Sequence, residues 1–200
     1  MRFLNRLHSR SVHPRRVRIL SEILAEMLPP GATVLDVGCG DGLLARLTGQ
    51  RRPDLAIVGV DVLVRPACQI PVQAFDGLAI PYEDGAFDTA MLVDVLHHAG
   101  HPGALLRETL RVARRGLLIK DHVRDGILAA PTLRFMDWVG NAPHGVSLPY
   151  HYWSEKRWRE EMTLLGLRAG ACRRQLGLYP WPASLVFDRS LHFVSYMARG

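Results

Sequence analysis

The sequence of 200 residues predicts a single α/β domain with a mainly parallel sheet. Short apolar runs alternate with amphipathic segments, and several of these runs end at a glycine-rich or an acidic turn. The last two apolar runs are separated by a loop rather than by a helix, so we expect an antiparallel strand to close the sheet. The hydrophobic fraction of 48% is sufficient for a packed core.

The stretch VLDVGCGDG, residues 34–42, joins a short buried strand to a helix. Gly38, Gly40 and Gly42 recur at alternate positions, and Leu43 begins the helical pattern. A strand, a glycine turn and a helix in this order present backbone N–H groups to a ligand at the carboxyl end of the strand. A dinucleotide fingerprint has its third glycine where this chain has Leu43. The glycine spacing therefore disfavours an NAD-dependent oxidoreductase, which remains an alternative.

The other elements follow in order along the chain. Apolar residues at helical spacing predict a helix over 19–28, and Pro102 suits the first turn of a later helix. The link between Asp61 and Asp76 is too short for a full crossover helix. Ser154 is a predicted N-cap of a further helix. We predict strands at 34–37, 56–60, 72–75, 87–93, 117–119, 167–176 and 191–197.

Two segments without a clear period, 123–152 and 177–188, are candidate caps over a substrate. Leu133, Met136 and Trp138 predict a short helix in the first of them. Aromatic residues in both segments suit a largely apolar ligand.

The net charge of +6 originates at the N-terminal end, where six arginines and no acidic residue precede Ile19. We therefore expect a basic arm at residues 1–13 and no basic face that would bind nucleic acid specifically. The arm either lies on the domain or contacts a membrane surface or an anionic substrate; a targeting peptide is the remaining alternative. Three separated cysteines and the lack of a long apolar run predict a cytoplasmic protein.

Acidic residues follow consecutive predicted strands. Asp61 ends the second strand about twenty residues after the glycine turn, where a carboxylate can accept hydrogen bonds from both ribose hydroxyls. Asp76 ends the third strand, where it can accept a hydrogen bond from the amino group of an adenine. These positions indicate an adenosine-containing ligand.

The segment IPYEDGAFDTAMLVDVLHH, residues 80–98, resembles the class I, Rossmann-like S-adenosylmethionine (SAM)-dependent methyltransferases of the type-11 family, which includes the ubiquinone and menaquinone methyltransferases. The resemblance spans residues 33–123 and fades beyond them. The matching residues are Pro81, Asp84, Phe87, Asp88, Leu96 and one of His97 and His98.

This resemblance implies a seven-stranded, SAM-binding fold. By it, Asp36, Gly38 and Gly40 hold the methionyl part of SAM, Asp61 the ribose and Asp76 the adenine. The cofactor-binding residues that we expect are Asp36, Gly38, Cys39, Gly40, Asp61, Val62, Asp76, Gly77 and Val93.

His97 and His98 are the candidate catalytic residues, because they follow the fourth strand at the edge where the methyl group should emerge. We favour His98 as a general base or orienting group, since histidine titrates in the right range. His101, Asp121 and His122 approach the pair if the fourth and fifth strands are neighbours. The chain lacks HExxH and CxxC spacings, so we expect no metal ion.

Together these patterns predict a SAM-dependent methyltransferase with a small-molecule or lipid-like acceptor, methylated at oxygen or else at carbon. The sulfonium methyl is already activated, so positioning of the acceptor supplies most of the rate. The alternatives are an NAD-dependent oxidoreductase, a SAM-binding protein without turnover, and an RNA methyltransferase. The acceptor and the oligomeric state stay open.

Overall fold

The computed structural model describes residues 12–141 and 148–200, and within these ranges the chain forms a seven-stranded sheet between two layers of helices. The strands are β1 (Thr33–Val37), β2 (Ala56–Asp61), β3 (Val72–Ala74), β4 (Phe87–Val93), β5 (Ala113–His122), β6 (Leu167–Arg173) and β7 (His192–Arg199). The helices are α1 (His13–Met27), α2 (Leu43–Arg51), α3 (Pro102–Val112), α4 (Ala129–Asn141), α5 (Glu155–Leu164) and α6 (Ser184–Phe187), with a 3₁₀ turn at Leu96–His98.

The strand order is β3-β2-β1-β4-β5-β7-β6. The first five strands run parallel to one another, and β7 runs antiparallel to both β5 and β6. The predicted α/β class, the mainly parallel sheet and the antiparallel closing strand are therefore confirmed. The order reverses between β1 and β4, which is where open α/β sheets form their ligand crevice.

Each face of the sheet has its own hydrophobic core. On one face, α3 and α5 pack against alternate residues of the central strands, including Leu92 and Ile119. On the other face, α1 and α2 cover the intervening residues, including Met91 and Leu118. Because both faces are covered, the apolar run 90–93 of β4 and the apolar run 117–119 of β5 form the centre of the sheet.

The predicted N-cap at Ser154, at the start of α5, is confirmed. The Ser154 Oγ accepts a hydrogen bond from the backbone N–H of Arg157 at 3.2 Å, and the rings of Trp153 and Trp158 lie 4.7 Å apart across this helix start. The link 62–71 contains no helix, as its length predicts.

The helix α4 is longer than the short helix predicted around Leu133. Its inward face alternates apolar and acidic side chains: Leu133 is fully buried, and Asp137, one turn later, is only 6% exposed. A buried carboxylate interrupts the apolar period, so the pattern underestimates the helix.

The basic arm expected at residues 1–13 lies almost entirely outside the described residues, as do residues 142–147 of the candidate cap 123–152. Within the described ranges, we find no helix with the length and apolar character needed to traverse a bilayer.

Candidate active site

The glycine loop after β1 is held against the end of β2. The backbone N–H groups of Gly38 and Cys39 both donate to the carbonyl of Val60, at 2.8 and 3.2 Å. Gly38 has a φ of 73°, and a Cβ there would lie 2.6 Å from Val95 Cγ2. Only glycine fits this position, which is both left-handed and crowded.

Asp61 anchors the same loop from β2. Its Oδ2 accepts a hydrogen bond from the Gly40 N–H at 2.7 Å, and its Oδ1 accepts one from the Leu63 N–H at 2.8 Å. The side chain is half-buried. The residue expected to bind ribose is thus also a structural support of the glycine loop.

Asp36 lies inside β1, directly behind the glycine loop, and is 3% exposed. Burial, and then the nearby negative charge of Asp61, raise the pKa of Asp36 to about 7. This carboxyl group therefore changes its charge close to neutral pH.

The Cys39 thiol is packed against the backbone of Gly59. Burial, followed by the charges of Asp36 and Asp61, raises the pKa of this thiol. The thiol therefore stays protonated, and Cys39 serves the loop through its backbone.

The turns after β2 and β3 adjoin each other. A Cβ on Gly77 would lie 3.3 Å from Val62 Cγ1, and the Val62 side chain is 64% exposed. Asp76 accepts hydrogen bonds from the N–H groups of Leu78 and Ala79, both at 2.8 Å, and these bonds lower its pKa. The turns form an open shelf beside Asp61.

Val93 completes this edge at the end of β4, where it pairs in register with Lys120 of β5. All nine residues expected to bind the cofactor thus follow or end β1, β2, β3 and β4 at their carboxyl ends. The fold brings them to one side of the sheet.

A buried ionic cluster begins immediately after β4, at Asp94. This residue has a φ of 59°, and its carboxylate pairs with Arg16 of α1 and with Lys120 of β5, whose side chain is fully buried. Burial alone would raise the pKa of Asp94, but Arg16 and Lys120 hold it well below its usual range. Asp94 is therefore a carboxylate with two cationic partners.

His97 is 1% exposed and lies between two carboxylates. Its Nδ1 is 2.7 Å from Asp121 Oδ1, and its Nε2 is 3.4 Å from Asp137 Oδ2. Burial would lower the pKa of His97, but Asp121 and Asp137 outweigh burial and raise it to about 10. His97 therefore holds a proton at neutral pH, which argues against its expected role as a general base.

His98 lies beside His97, with their ring centroids 4.1 Å apart. It is half-buried, so it is more accessible than His97. The structure therefore leaves His98 as the more exposed member of the candidate catalytic pair.

Two further buried histidines, His122 and His192, lie beside the charged groups of this cluster. His122 Nδ1 lies 3.4 Å from His97 Nδ1, and burial together with Lys120 and His97 lowers its pKa to about 4. His192, from β7, has its Nδ1 3.4 Å from Lys120 Nζ and its Nε2 3.0 Å from the Phe187 carbonyl. Burial and Lys120 lower the pKa of His192, so both rings are neutral at pH 7.

The sequence patterns do not identify several members of the cluster as functional residues. Lys120 interrupts an apolar strand and Asp94 directly follows one, and such isolated charges are the available signal. The partners contributed by α1, α4 and β7 have no signal, because only the fold brings them to this edge. The missed residues are Arg16, Asp94, Lys120, Asp137, Tyr152 and His192.

The aromatic residues of the candidate caps divide into two groups. Tyr152 and Tyr179 are buried, whereas Phe135, Trp138 and Trp181 are 46%, 39% and 79% exposed. The buried pair packs against the domain, and the exposed group provides apolar surface on the candidate caps.

A groove of about 580 Å³ lies between the start of α3 and residues 150–153. Its lining includes His101, Arg107 and Tyr152, but none of the nine residues expected to bind the cofactor. The shelf beside Asp61 is therefore a separate surface.

Comparison with known proteins agrees with this architecture. A family model described as a methyltransferase domain matches residues 10–169. Relatives include a 2-methyl-6-phytyl-1,4-hydroquinone methyltransferase of Synechocystis, 29% identical over 68% of this chain and 40% of its own length. A tRNA (carboxymethyluridine(34)-5-O)-methyltransferase of Xenopus tropicalis is 36% identical over 44% of this chain and 15% of its own length.

The chain thus matches less than half the length of these relatives. Among solved structures, the 1,6-didemethyltoxoflavin-N1-methyltransferase of Burkholderia thailandensis, with bound substrate and S-adenosylhomocysteine, has a TM-score of 0.63 at 20% identity. The match covers 92% of this chain and 77% of that one, and it shows the shared fold. The chain therefore belongs to this methyltransferase domain family and has the fold of the class I enzymes, whose cofactor is SAM.

Proposed function

We propose that this protein transfers the methyl group of SAM to an oxygen of a small-molecule or lipid-like acceptor, with a carbon atom as the second candidate. The observation that carries the proposal is the ionic cluster around His97. It lies at the same edge of the sheet as the glycine loop, one residue from the half-buried His98.

In this proposal, the glycine loop and Asp36 face the methionyl part of SAM. Asp61 accepts the ribose hydroxyls through lone pairs that its two backbone bonds leave available, since each carboxylate oxygen can accept more than one hydrogen bond. The shelf of Val62, Asp76 and Gly77 receives the adenine. Cys39 and Val93 complete the pocket walls.

The acceptor approaches from the side of the cluster. His98 accepts its proton or orients it, while the buried cations His97 and Lys120 favour a negative charge that develops on an acceptor oxygen. The carbon–sulfur bond of SAM then breaks with its electron pair moving to sulfur, as the oxygen–carbon bond forms. In-line positioning supplies most of the rate.

A largely apolar acceptor suits the exposed aromatic side chains of Phe135, Trp138 and Trp181. The relative from Synechocystis acts on a phytyl hydroquinone, and a phenolic oxygen is the kind of nucleophile that the cluster favours. Contact of the basic arm with an anionic membrane is a further part of this proposal.

The tRNA-modifying relative makes RNA the second candidate acceptor. Against it, the arginines that precede Ile19 carry the net charge, and Arg16 is already paired with Asp94. Deleting residues 1–13 and measuring retention on bulk RNA at physiological salt checks this point. We expect no retention, and strong retention would favour RNA.

The test of the main proposal is methyl transfer from labelled SAM, with simple hydroquinones, prenylated hydroquinones and bulk RNA offered in parallel. We expect label in an organic-soluble phenol ether and none in RNA. Label in RNA alone, or no transfer to any phenol or carbon acid, contradicts the proposal.

A further inference from the structure

The cluster contains a buried nitrogen that lacks a hydrogen-bond partner. Among the described residues, His97 Nε2 and Asp121 Oδ2 are the buried side-chain polar atoms without one. His97 Nε2 does have Asp137 Oδ2 at 3.4 Å, but this contact lacks hydrogen-bond geometry. Buried polar atoms normally have a hydrogen-bond partner, so the lack of one at His97 Nε2 needs a physical explanation.

The geometry around this nitrogen fits a metal ion. One ring nitrogen each of His97 and His98 and one Asp137 oxygen all lie within 4.8 Å of one another, and His97 Nε2 is 3.4 Å from Asp137 Oδ2. With metal–ligand bonds of about 2.1 Å, ligand atoms are separated by about 3.0 Å at octahedral and about 3.4 Å at tetrahedral angles. The observed 3.4 Å between the His97 and Asp137 atoms falls in that range.

The surrounding residues hold two of these ligands in place. Asp121 Oδ1 lies 2.7 Å from His97 Nδ1, and a carboxylate on the far nitrogen is the usual support of a metal-bound histidine. The Tyr152 hydroxyl donates a hydrogen bond to Asp137 and so orients the carboxylate. A built support of this kind is absent around an adventitious surface histidine.

We propose that His97, His98 and Asp137 form a site for a divalent transition-metal ion. Two histidines and one carboxylate suit Zn²⁺, Mn²⁺, Fe²⁺ or Co²⁺ and leave coordination positions open. The ion takes the place of the proton on His97 Nε2 and lies between a neutral ring and the Asp137 carboxylate. The ligands come from the turn after β4 and from α4. These two elements are far apart in the sequence, so no short motif indicates the site.

A second group of possible ligands, Asp94, His97 and His122, lies nearby. Its carboxylate is already paired with Arg16 and Lys120. Those cations repel a metal ion, so the site with Asp137 is favoured.

This inference rests on the proposed function and deepens it. A metal ion beside the acceptor binds a hydroxyl oxygen in an open position and makes its proton more acidic. The proton then leaves to water, the oxygen takes the methyl group, and sulfur keeps the electron pair of the broken bond. The site therefore favours hydroxyl acceptors over carbon acceptors, and His98 then acts as a ligand instead of a base.

The test uses Co²⁺, whose visible absorption reports its coordination. Chelator-treated full-length protein is titrated with Co²⁺ and scanned, with Asp137→Asn and His98→Gln as variants. His101→Gln is the matched control, because His101 is an exposed histidine outside the cluster. We expect saturable binding of one Co²⁺ per chain, lost in both variants, retained in the control and displaced by Zn²⁺.

Thermal unfolding and SAM calorimetry on the same preparations show that the variants fold and keep the cofactor site. If Asp137→Asn does not fold, His98→Gln decides the result. Saturable binding that survives His98→Gln, or no Co²⁺ binding by the parent protein, overturns the metal site. Because SAM binding and methyl transfer are measured separately, that result leaves the proposed methyl transfer standing.

Discussion

The Asp61 carboxylate and the Gly40 N–H are joined by a hydrogen bond of 2.7 Å, which ties the end of β2 to the glycine loop. Asp61, which the sequence predicts to contact the ligand, is therefore also a structural support of the glycine loop. Its substitution should alter both the contact and the shape of the loop.

We expect Asp61→Ala to weaken SAM binding by about 1–3 kcal/mol, the magnitude of a lost hydrogen bond to a charged group. Calorimetry with SAM, S-adenosylhomocysteine and NAD measures the effect, and SAM should bind more tightly than NAD. Asp84→Asn is the control, since Asp84 is exposed and pairs with Arg111 of α3. Unchanged SAM affinity in a folded Asp61→Ala protein, or tighter binding of NAD, contradicts the assignment.

Asp36 should make SAM binding and stability depend on pH in opposite directions. Its pKa of about 7 lies above the ordinary value of 3.8, so the folded state binds the proton more tightly than the unfolded state, and stability falls as pH rises from about 4 to about 7. The cationic methionyl part of SAM favours the ionised form, so affinity should rise through pH 7.

The variant Asp36→Asn checks both halves of this prediction. It should be more stable than the parent at pH 8 without SAM, and its SAM affinity should be weaker and nearly independent of pH. Urea unfolding and calorimetry at pH 6 and pH 8 measure the two effects. A parent protein whose SAM affinity is flat between these values would remove Asp36 from the cofactor site.

The buried pair of His97 and Asp121 should contribute strongly to stability. Asp121→Asn leaves a buried cation without the nearer of its two carboxylates, and we expect a loss of about 3–5 kcal/mol in the free energy of unfolding at pH 6. The pKa of His97 is raised from 6.5 to about 10, so the stabilisation is complete below pH 6.5 and is lost as pH rises toward 10.

Urea unfolding with chelator present measures this difference between parent and variant. The gap should narrow between pH 6.5 and pH 10, while Asp125→Asn, which changes an exposed carboxylate, should show no such narrowing. A gap that is constant over this range would mean that His97 is not the charged partner.

His98→Ala should lower the rate of methyl transfer by roughly 10²–10⁴-fold while SAM affinity barely changes, because the proposed function places His98 beside the acceptor and not beside the cofactor. His101→Ala is the matched control and should keep normal turnover. Single-turnover measurements with a phenolic acceptor provide the rates. Near-normal turnover in both His97→Ala and His98→Ala would leave positioning alone as the mechanism.

Much of the fold follows from local patterns in the sequence. Apolar runs and the turns between them predict the seven strands, and Pro102 and Ser154 mark two helix starts that the structure confirms. The cofactor edge is predictable for the same reason, because its residues directly follow consecutive parallel strands. Strand β5 is longer than the expected 117–119 at both ends, because residues 113–116 precede the apolar run and Lys120, Asp121 and His122 continue it as buried residues.

The acceptor side of the site is less predictable from the sequence. Arg16, Asp137 and His192 come from elements far apart along the chain, and each looks like an ordinary surface residue in its local pattern. Only tertiary packing buries them and turns a helix-face aspartate into a partner of His97. Local periodicity carries no information about such contacts.

The position of β7 has a consequence for the order in which the protein matures during synthesis. The glycine loop, Asp61 and Asp76 are all translated early, in the first half of the chain. His192, which contacts Lys120, arrives only when β7 inserts between β5 and β6. A nascent chain can therefore form its glycine loop and the turns after β2 and β3 before β7 is made, whereas the contact between His192 and Lys120 forms only once β7 has left the ribosome.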